Sequence, residues 1–361
     1  MAFTSRIGTG PSGNIGAVAI AVPTGFDWTP SWSIFQTKPG EFKTNIVESA
    51  LRVATADAAL YVDIATGVNT NAGTDPLLPR KSIWHAINTG GNRTIYVKSG
   101  VYGHADSWVN LTPVANCNVI GVTDFTTLAP GRVVSNVNAG TINGKLSLNT
   151  SLCVENFTFN LGFGRNFLMQ NGSATFINCD FVSSDTLEGL VLSSNAAGVT
   201  HTVTLIRCRA INAAGDGFGS TTLAAGEIVN WAEIDCISYR GGRAGAGTHQ
   251  GSSIHKTAGN GAINVIRING HYYDSYGPQN IADVGGVESW NLGVHAYRTD
   301  SGGNTSFYCG DSGTMWLHSC VADGAIPFQT DNAGGTIKVY DTPGSHTGTG
   351  TFTTYNGITG V

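Results

Sequence analysis

The sequence predicts an all-β chain: a parallel β-helix in which short strands stack coil upon coil. Three observations carry this. Cys179, Cys208 and Cys236 stand 29 and 28 residues apart, each inside the same local phrase. The phrases are Phe176-Ile177-Asn178-Cys179-Asp180-Phe181, Leu205-Ile206-Arg207-Cys208-Arg209-Ala210 and Glu233-Ile234-Asp235-Cys236-Ile237-Ser238. A small apolar side chain recurring at such a period marks a structural repeat. The phrase also echoes outward. Asn156, Gly270, Gly293 and Cys320 are read into the cysteine slot, with Gly100 and Gly121 as weaker rungs. The steps from Gly100 to Cys320 are 21, 35, 23, 29, 28, 34, 23 and 27, irregular as loops of differing length would make them. Finally, the segments are short, β-branched and rich in glycine and asparagine, which suits strands and tight turns better than helical repeats. About nine or ten coils, at roughly 4.8 Å each, give a rod of roughly 45 Å.

The elements follow in order. Residues 1–57 stand outside the ladder and form an N-terminal arm, with a short helix expected at 46–55. Gly8-Thr9-Gly10-Pro11-Ser12-Gly13 lacks the Gly-Lys-Ser/Thr of a phosphate loop and reads as a plain loop. Leu60-Tyr61-Val62-Asp63 reads as a strand, and 66–74 as a turn-rich loop. Ile83-Trp84-His85-Ala86-Ile87 places apolar residues at helical spacing. A helix is expected there because the open end of a solenoid exposes its core. Residues 58–340 form the β-helix. Thr336 to Tyr340 is its last strand, and 341–361 reads as a Gly/Thr-rich tail.

Composition narrows the function. Charged residues are only 12% of the chain, 41% is hydrophobic and 49 residues are glycine, so the chain is ordered and turn-rich. A net charge of -5 argues against general nucleic-acid binding. No run reaches membrane-spanning length. No secretory leader is read in Met1-Ala2-Phe3-Thr4-Ser5-Arg6, since Ala17 to Val22 is too short and too late for its apolar core. The seven cysteines lack metal-finger spacing and read as buried free thiols. No cofactor and no metal are expected.

The N-terminal portion adds a resemblance. Tyr61-Val62-Asp63, Asn71-Ala72-Gly73-Thr74, Ser82 to Ile87 and Val97-Lys98-Ser99-Gly100-Val101-Tyr102, taken with the ladder, are similar to the start of many proteins of the pectate-lyase-like superfamily. The resemblance covers about 60–340 and implies a right-handed parallel β-helix. That superfamily includes polysaccharide lyases, glycoside hydrolases, adhesins and bacteriophage tailspikes. The separate arm and the Gly/Thr-rich end look most like the phage members. The resemblance therefore implies a virion surface protein: a homotrimer attached to other virion proteins through 1–57, contacting cell-surface polysaccharide. A polysaccharide-degrading tailspike, a lyase or glycoside hydrolase, is the alternative.

Candidate chemistry is dispersed. Glycoside hydrolysis needs two carboxyls at a set separation, for which Asp180, Glu233, Asp235, Asp274, Asp283 and Glu288 are available. Each also reads as a turn residue or a solvated face. A lyase needs a base and cations at the developing enolate. The segment 239–261 departs from the ladder and gathers Arg240, Arg243, His249, His255 and Lys256 among glycines. Arg243, His249, His255, Asp283 and Glu288 are taken as candidate glycan contacts. Tyr272, Tyr273, Tyr276, Trp290 and Tyr297 are candidate sugar-stacking aromatics, though such residues also serve as core or interface.

Overall fold

The computed structural model describes the chain from 55 to 355 apart from residues 56, 90, 107–112, 114, 137–145, 149, 161–163, 170–171, 183–188, 195–196, 223–224, 242–249, 256–260, 276–278, 299–304 and 332–333. Before 55 it describes Arg52 and two strands. The chain divides into two compact units, Met1–Arg52 and Val53–Val361. In the first, Ala2–Ser5 pairs antiparallel with Val18–Ala21. The helix expected at 46–55 and the attachment role given to 1–57 fall almost wholly outside the described residues.

The second unit is a parallel β-helix. Three sheets of twelve, nine and nine strands wall it, and each strand pairs with its counterpart one coil away. The long sheet runs from Leu60–Val62 to Thr351–Tyr355. The second sheet runs from Gly100–Tyr102 to Val321–Asp323, and the third from Leu146–Leu148 to His346–Thr347. Twelve strands in the long sheet correspond to a stack of roughly 50 Å. The expected 341–361 tail is corrected here: Thr351–Tyr355 pairs in register with Thr336–Tyr340, so the coils continue to Tyr355. The β-branched and aromatic residues of Thr351-Phe352-Thr353-Thr354-Tyr355 extend the ladder where composition alone looks like a loose end.

The cap forms as expected. Ser82 accepts a hydrogen bond from the His85 backbone N–H, starting the helix Ile83–Ile87. Ile83, Ala86 and Ile87 are buried and join the core beside Leu60 and Val62.

The cysteine column is also present, with three residues reassigned. Cys179, Cys208, Cys236 and Cys320 are buried. The Cys208 thiol lies 3.3 Å from the Phe176 carbonyl, and the Cys320 thiol 3.2 Å from that of Asn291, each acting as a weak donor to the preceding coil. Phe157, not Asn156, holds the slot below Cys179, because Thr158 pairs with Asp180. Val294, not Gly293, holds it below Cys320, because Leu292 pairs with His318. Asn156 and Gly293 instead belong to the preceding column, whose backbone is left-handed: Asn156, Asn178, Arg207, Asp235, Asn269, Gly293 and Ser319 have φ between 48° and 64°. That column turns each coil from the long sheet into the second. Gly121 is not in the slot either, since Val133 pairs with both Gly100 and Phe157. The 123–131 excursion closes on itself through Gly131 N–H to the Gly121 carbonyl, 3.1 Å, which lengthens that step without adding a rung.

Candidate functional site

Strand geometry selects the face. In the long sheet both alternating sets are buried: Val203 and Leu205, and also Thr204 and Ile206. The second sheet differs. From Arg209–Ile211 to His295–Tyr297 its three-residue strands turn the middle residue inward and leave the outer two accessible, as the period of two requires. Ile237-Ser238-Tyr239, His271-Tyr272-Tyr273 and His295-Ala296-Tyr297 pair in register on neighbouring coils. Ser238, Tyr272 and Ala296 are buried, while Tyr239, Tyr273 and Tyr297 are half-buried.

The result is a tyrosine ladder. Tyr239 and Tyr273 have ring centroids 4.9 Å apart; Tyr273 and Tyr297 stack at 5.0 Å with planes only 3° apart. Stacked rings present edges and hydroxyls outward, so the ladder offers a row of phenols at the rung spacing. Burial pushes the Tyr273 and Tyr297 phenols above the ordinary tyrosine value, and neighbouring tyrosine and Asp274 charges add to it. Both remain neutral hydroxyls, able to donate and accept. Beside this row runs a second column, where His271 and His295 lie 4.7 Å apart. The Arg240 guanidinium sits 4.8 Å from the Tyr239 ring centre at the lower end.

The sequence candidates do not gather into one site. Arg243 and His249 lie outside the described residues. His255 ends the strand Ser252–His255 in the third sheet, paired with Val284, and its side chain lies outside the description. Glu288 is exposed at the start of a long-sheet strand, in register with Asn264 and Thr314.

Asp283 is a correction. It is fully buried and forms two hydrogen bonds with Arg267, 2.8 and 2.9 Å, so it is closed to a glycan. Glu233, also read as a surface acid, is buried in the same network. Its carboxylate accepts from Trp231 Nε1 at 2.7 Å, Ser252 Oγ at 2.9 Å and the Tyr272 hydroxyl. Burial disfavours the charged Arg267 guanidinium, but Asp283 and Glu233 outweigh this and raise its pKa. Burial and the Glu233 charge push the Tyr272 phenol well up. Tyr272 is thus a core residue, not a sugar platform. Its ring also explains the glycine in the cysteine column, because a Cβ on Gly270 would lie 2.5 Å from it. Trp290 is buried too, stacked on Trp316 at 4.5 Å.

The ladder as a unit went unread, although Tyr273 and Tyr297 were named singly. Its signal was a tyrosine in the third position of consecutive short strands, at Tyr239, Tyr273 and Tyr297. Among the described residues no cluster of three or more His, Cys, Asp or Glu could hold a metal ion.

No protein-family model matches the sequence. No curated protein matches it either. Solved structures do. Pectate lyase Pel9A superposes with a TM-score of 0.51 at 14% identity, over 83% of this chain and 79% of that one. The fold is that of a pectate-lyase-like parallel β-helix. A rhamnogalacturonan lyase is similar at TM-score 0.45 and 12% identity, over 84% and 88% of the two chains. A GH136 lacto-N-biosidase from Eubacterium ramulus follows at 0.37 and 10%, over 82% and 68%. At these identities, the likeness of the pectate-lyase-like β-helix to its neighbours concerns architecture, and the site must be argued from its own residues.

Proposed function

We propose that this β-helix binds a polysaccharide along the outer face of its second sheet, as a surface appendage of a bacteriophage particle. The observation that supports binding is the ladder Tyr239–Tyr273–Tyr297 with the histidine column beside it. A ligand suited to a row of hydroxyl groups repeating every rung is itself an extended polar repeat. A glycan chain lying parallel to the coil axis meets that description, with about one sugar per rung of roughly 4.8 Å. The half-buried rings supply apolar edge contact and the phenols, imidazoles and guanidinium supply hydrogen bonds.

Supporting the appendage role are the resemblance to phage members and a first unit distinct from the β-helix, Met1–Arg52. In this reading that unit anchors the protein and three copies assemble side by side, closed by cyclic symmetry. Light scattering checks the assembly; a monomer mass at micromolar concentration contradicts it.

The binding test is a glycan array followed by titration calorimetry on Tyr273→Ala. Loss of the middle ring should weaken binding by about tenfold or more, equal to about 1.4 kcal/mol. Circular dichroism should stay unchanged, because the ring is on the outer face. Undiminished binding by the variant contradicts the reading.

A further inference from the structure

We infer that the glycan held by the tyrosine ladder is an uncharged one; this rests on the binding face proposed above and deepens it. The argument comes from how charge is laid out on the coils around the ladder. Three columns matter. On one side of the second sheet stand the left-handed turn residues Arg207, Asp235 and Asn269, each linked to the next coil through its backbone N–H. On the other side stand Asn212, Arg240, Asp274 and Arg298, linked the same way. Within the sheet, Arg209 clamps Asp180 with bonds of 2.7 and 2.6 Å, and Asp323 follows Tyr297 by one rung.

In each column a cation is followed by an anion or a neutral group. Arg207 precedes Asp235; Arg240 precedes Asp274, which precedes Arg298; Arg209 is already paired with Asp180. Across these coils the described face carries four arginines, Arg207, Arg209, Arg240 and Arg298, and four aspartates, Asp180, Asp235, Asp274 and Asp323. Arg132 borders this face from below, donating to the Phe157 and Asn178 carbonyls at 2.9 and 2.6 Å and lying 3.7 Å from Asp180.

Anion sites are built differently. They concentrate cations and aim forked guanidinium donors at one acceptor group. Here Asp274 stands on the coil between Arg240 and Arg298, about one backbone rung, roughly 4.8 Å, from each. That spacing lies inside the screening length of about 8 Å at physiological salt, so the fields largely cancel. A glycan with an acid on successive sugars would place some of its charges against Asp274 or Asp323. An uncharged chain meets no such repulsion, and the alternating donors and acceptors suit hydroxyls, which are both.

The test uses the full chain at about pH 8, where ordinary histidines are neutral. Uncharged polysaccharides (dextran, laminarin, galactomannan) and uronate polymers (alginate, hyaluronan) are titrated at about 20 mM and about 300 mM NaCl. The inference expects binding to an uncharged chain, with affinity changing less than about twofold between the two salts. It also expects Asp274→Asn to gain affinity for the uronates, since Asn tolerates the left-handed backbone and removes the carboxylate on the coil between Arg240 and Arg298. Preference of the unaltered protein for the uronates, weakened about tenfold or more by salt, overturns the inference. If Tyr273→Ala abolishes that uronate binding, the ladder reading survives and only the charge class is wrong. If binding to either class ignores Tyr273→Ala, or neither class binds, the ladder reading fails and the inference falls with it.

Discussion

Arg267 holds its charge where no solvent reaches, in a polar network whose members come from all three sheets. Asp283 and Ser252 belong to the third sheet, Tyr272 to the second, and Glu233 and Asn291 to the long sheet. A buried ion pair is weak evidence of net stability, but breaking one is costly because the survivor stays unpaired. Asp283→Asn should therefore lower unfolding free energy by about 3–5 kcal/mol in urea titration. A loss under about 1 kcal/mol would show that the guanidinium has reached water. Cys179 and Cys208 give a second prediction at this scale. Burial raises both thiols well above the ordinary cysteine value, so they should resist a thiol reagent at about pH 8 until the chain unfolds. Prompt labelling of the native protein would contradict the core. The cysteine column was legible because a small apolar residue at a steady period has few other meanings. Arg267 was not, because a charge in an inward position reads from sequence as a slip of register. Only the folded coils show that Asp283, 16 residues on, returns to meet it.

Each coil depends on the left-handed residue that ends its long-sheet strand. Asn269 has φ 51°, where a β-branched side chain is strained and Gly or Asn is not. Asn269→Val should destabilise by about 1–2 kcal/mol while Asn269→Gly should be close to neutral. Equal effects of the two would mean that backbone strain is not what selects the residue. Neighbouring strands also tune a titration. His318 stacks on Tyr340 at 4.2 Å. Burial lowers its pKa, with Asp341 opposing. The folded state therefore binds fewer protons than the unfolded state. The resulting stability is present above the ordinary histidine value of about 6.5 and is lost as pH falls through the lower folded value. His318→Gln should flatten the acid side of the melting-temperature profile; an unchanged slope would contradict this. Coil stacking and the cap helix followed from the repeat period and from apolar residues at helical spacing in Ile83–Ile87. The slot near Asn156 and Gly293 was misread by one residue, because these small turn residues look like the small slot residues of other coils while Phe157 and Val294 fill the slot itself.

The whole β-helix is a stack of similar coils, and the proposed function rests on what that repetition places outward. In its middle coils the long sheet buries both sets of its alternating residues, whereas the second sheet shows tyrosines and histidines at the rung spacing. The architecture was legible from the cysteine ladder. The site was not, since the expected contacts Arg243, His249 and His255 were drawn from the irregular stretch at 239–261 and Asp283 and Glu288 from other sheets, while the ladder takes one residue from each of three paired strands far apart in the sequence. The most direct measurement is a crystal structure of the protein with an oligosaccharide of the bound glycan, several sugars long. The account predicts sugar density running parallel to the coil axis across Tyr239, Tyr273 and Tyr297, with hydroxyls facing the phenols. Ordered sugar elsewhere on the chain, with the ladder bare, would contradict it.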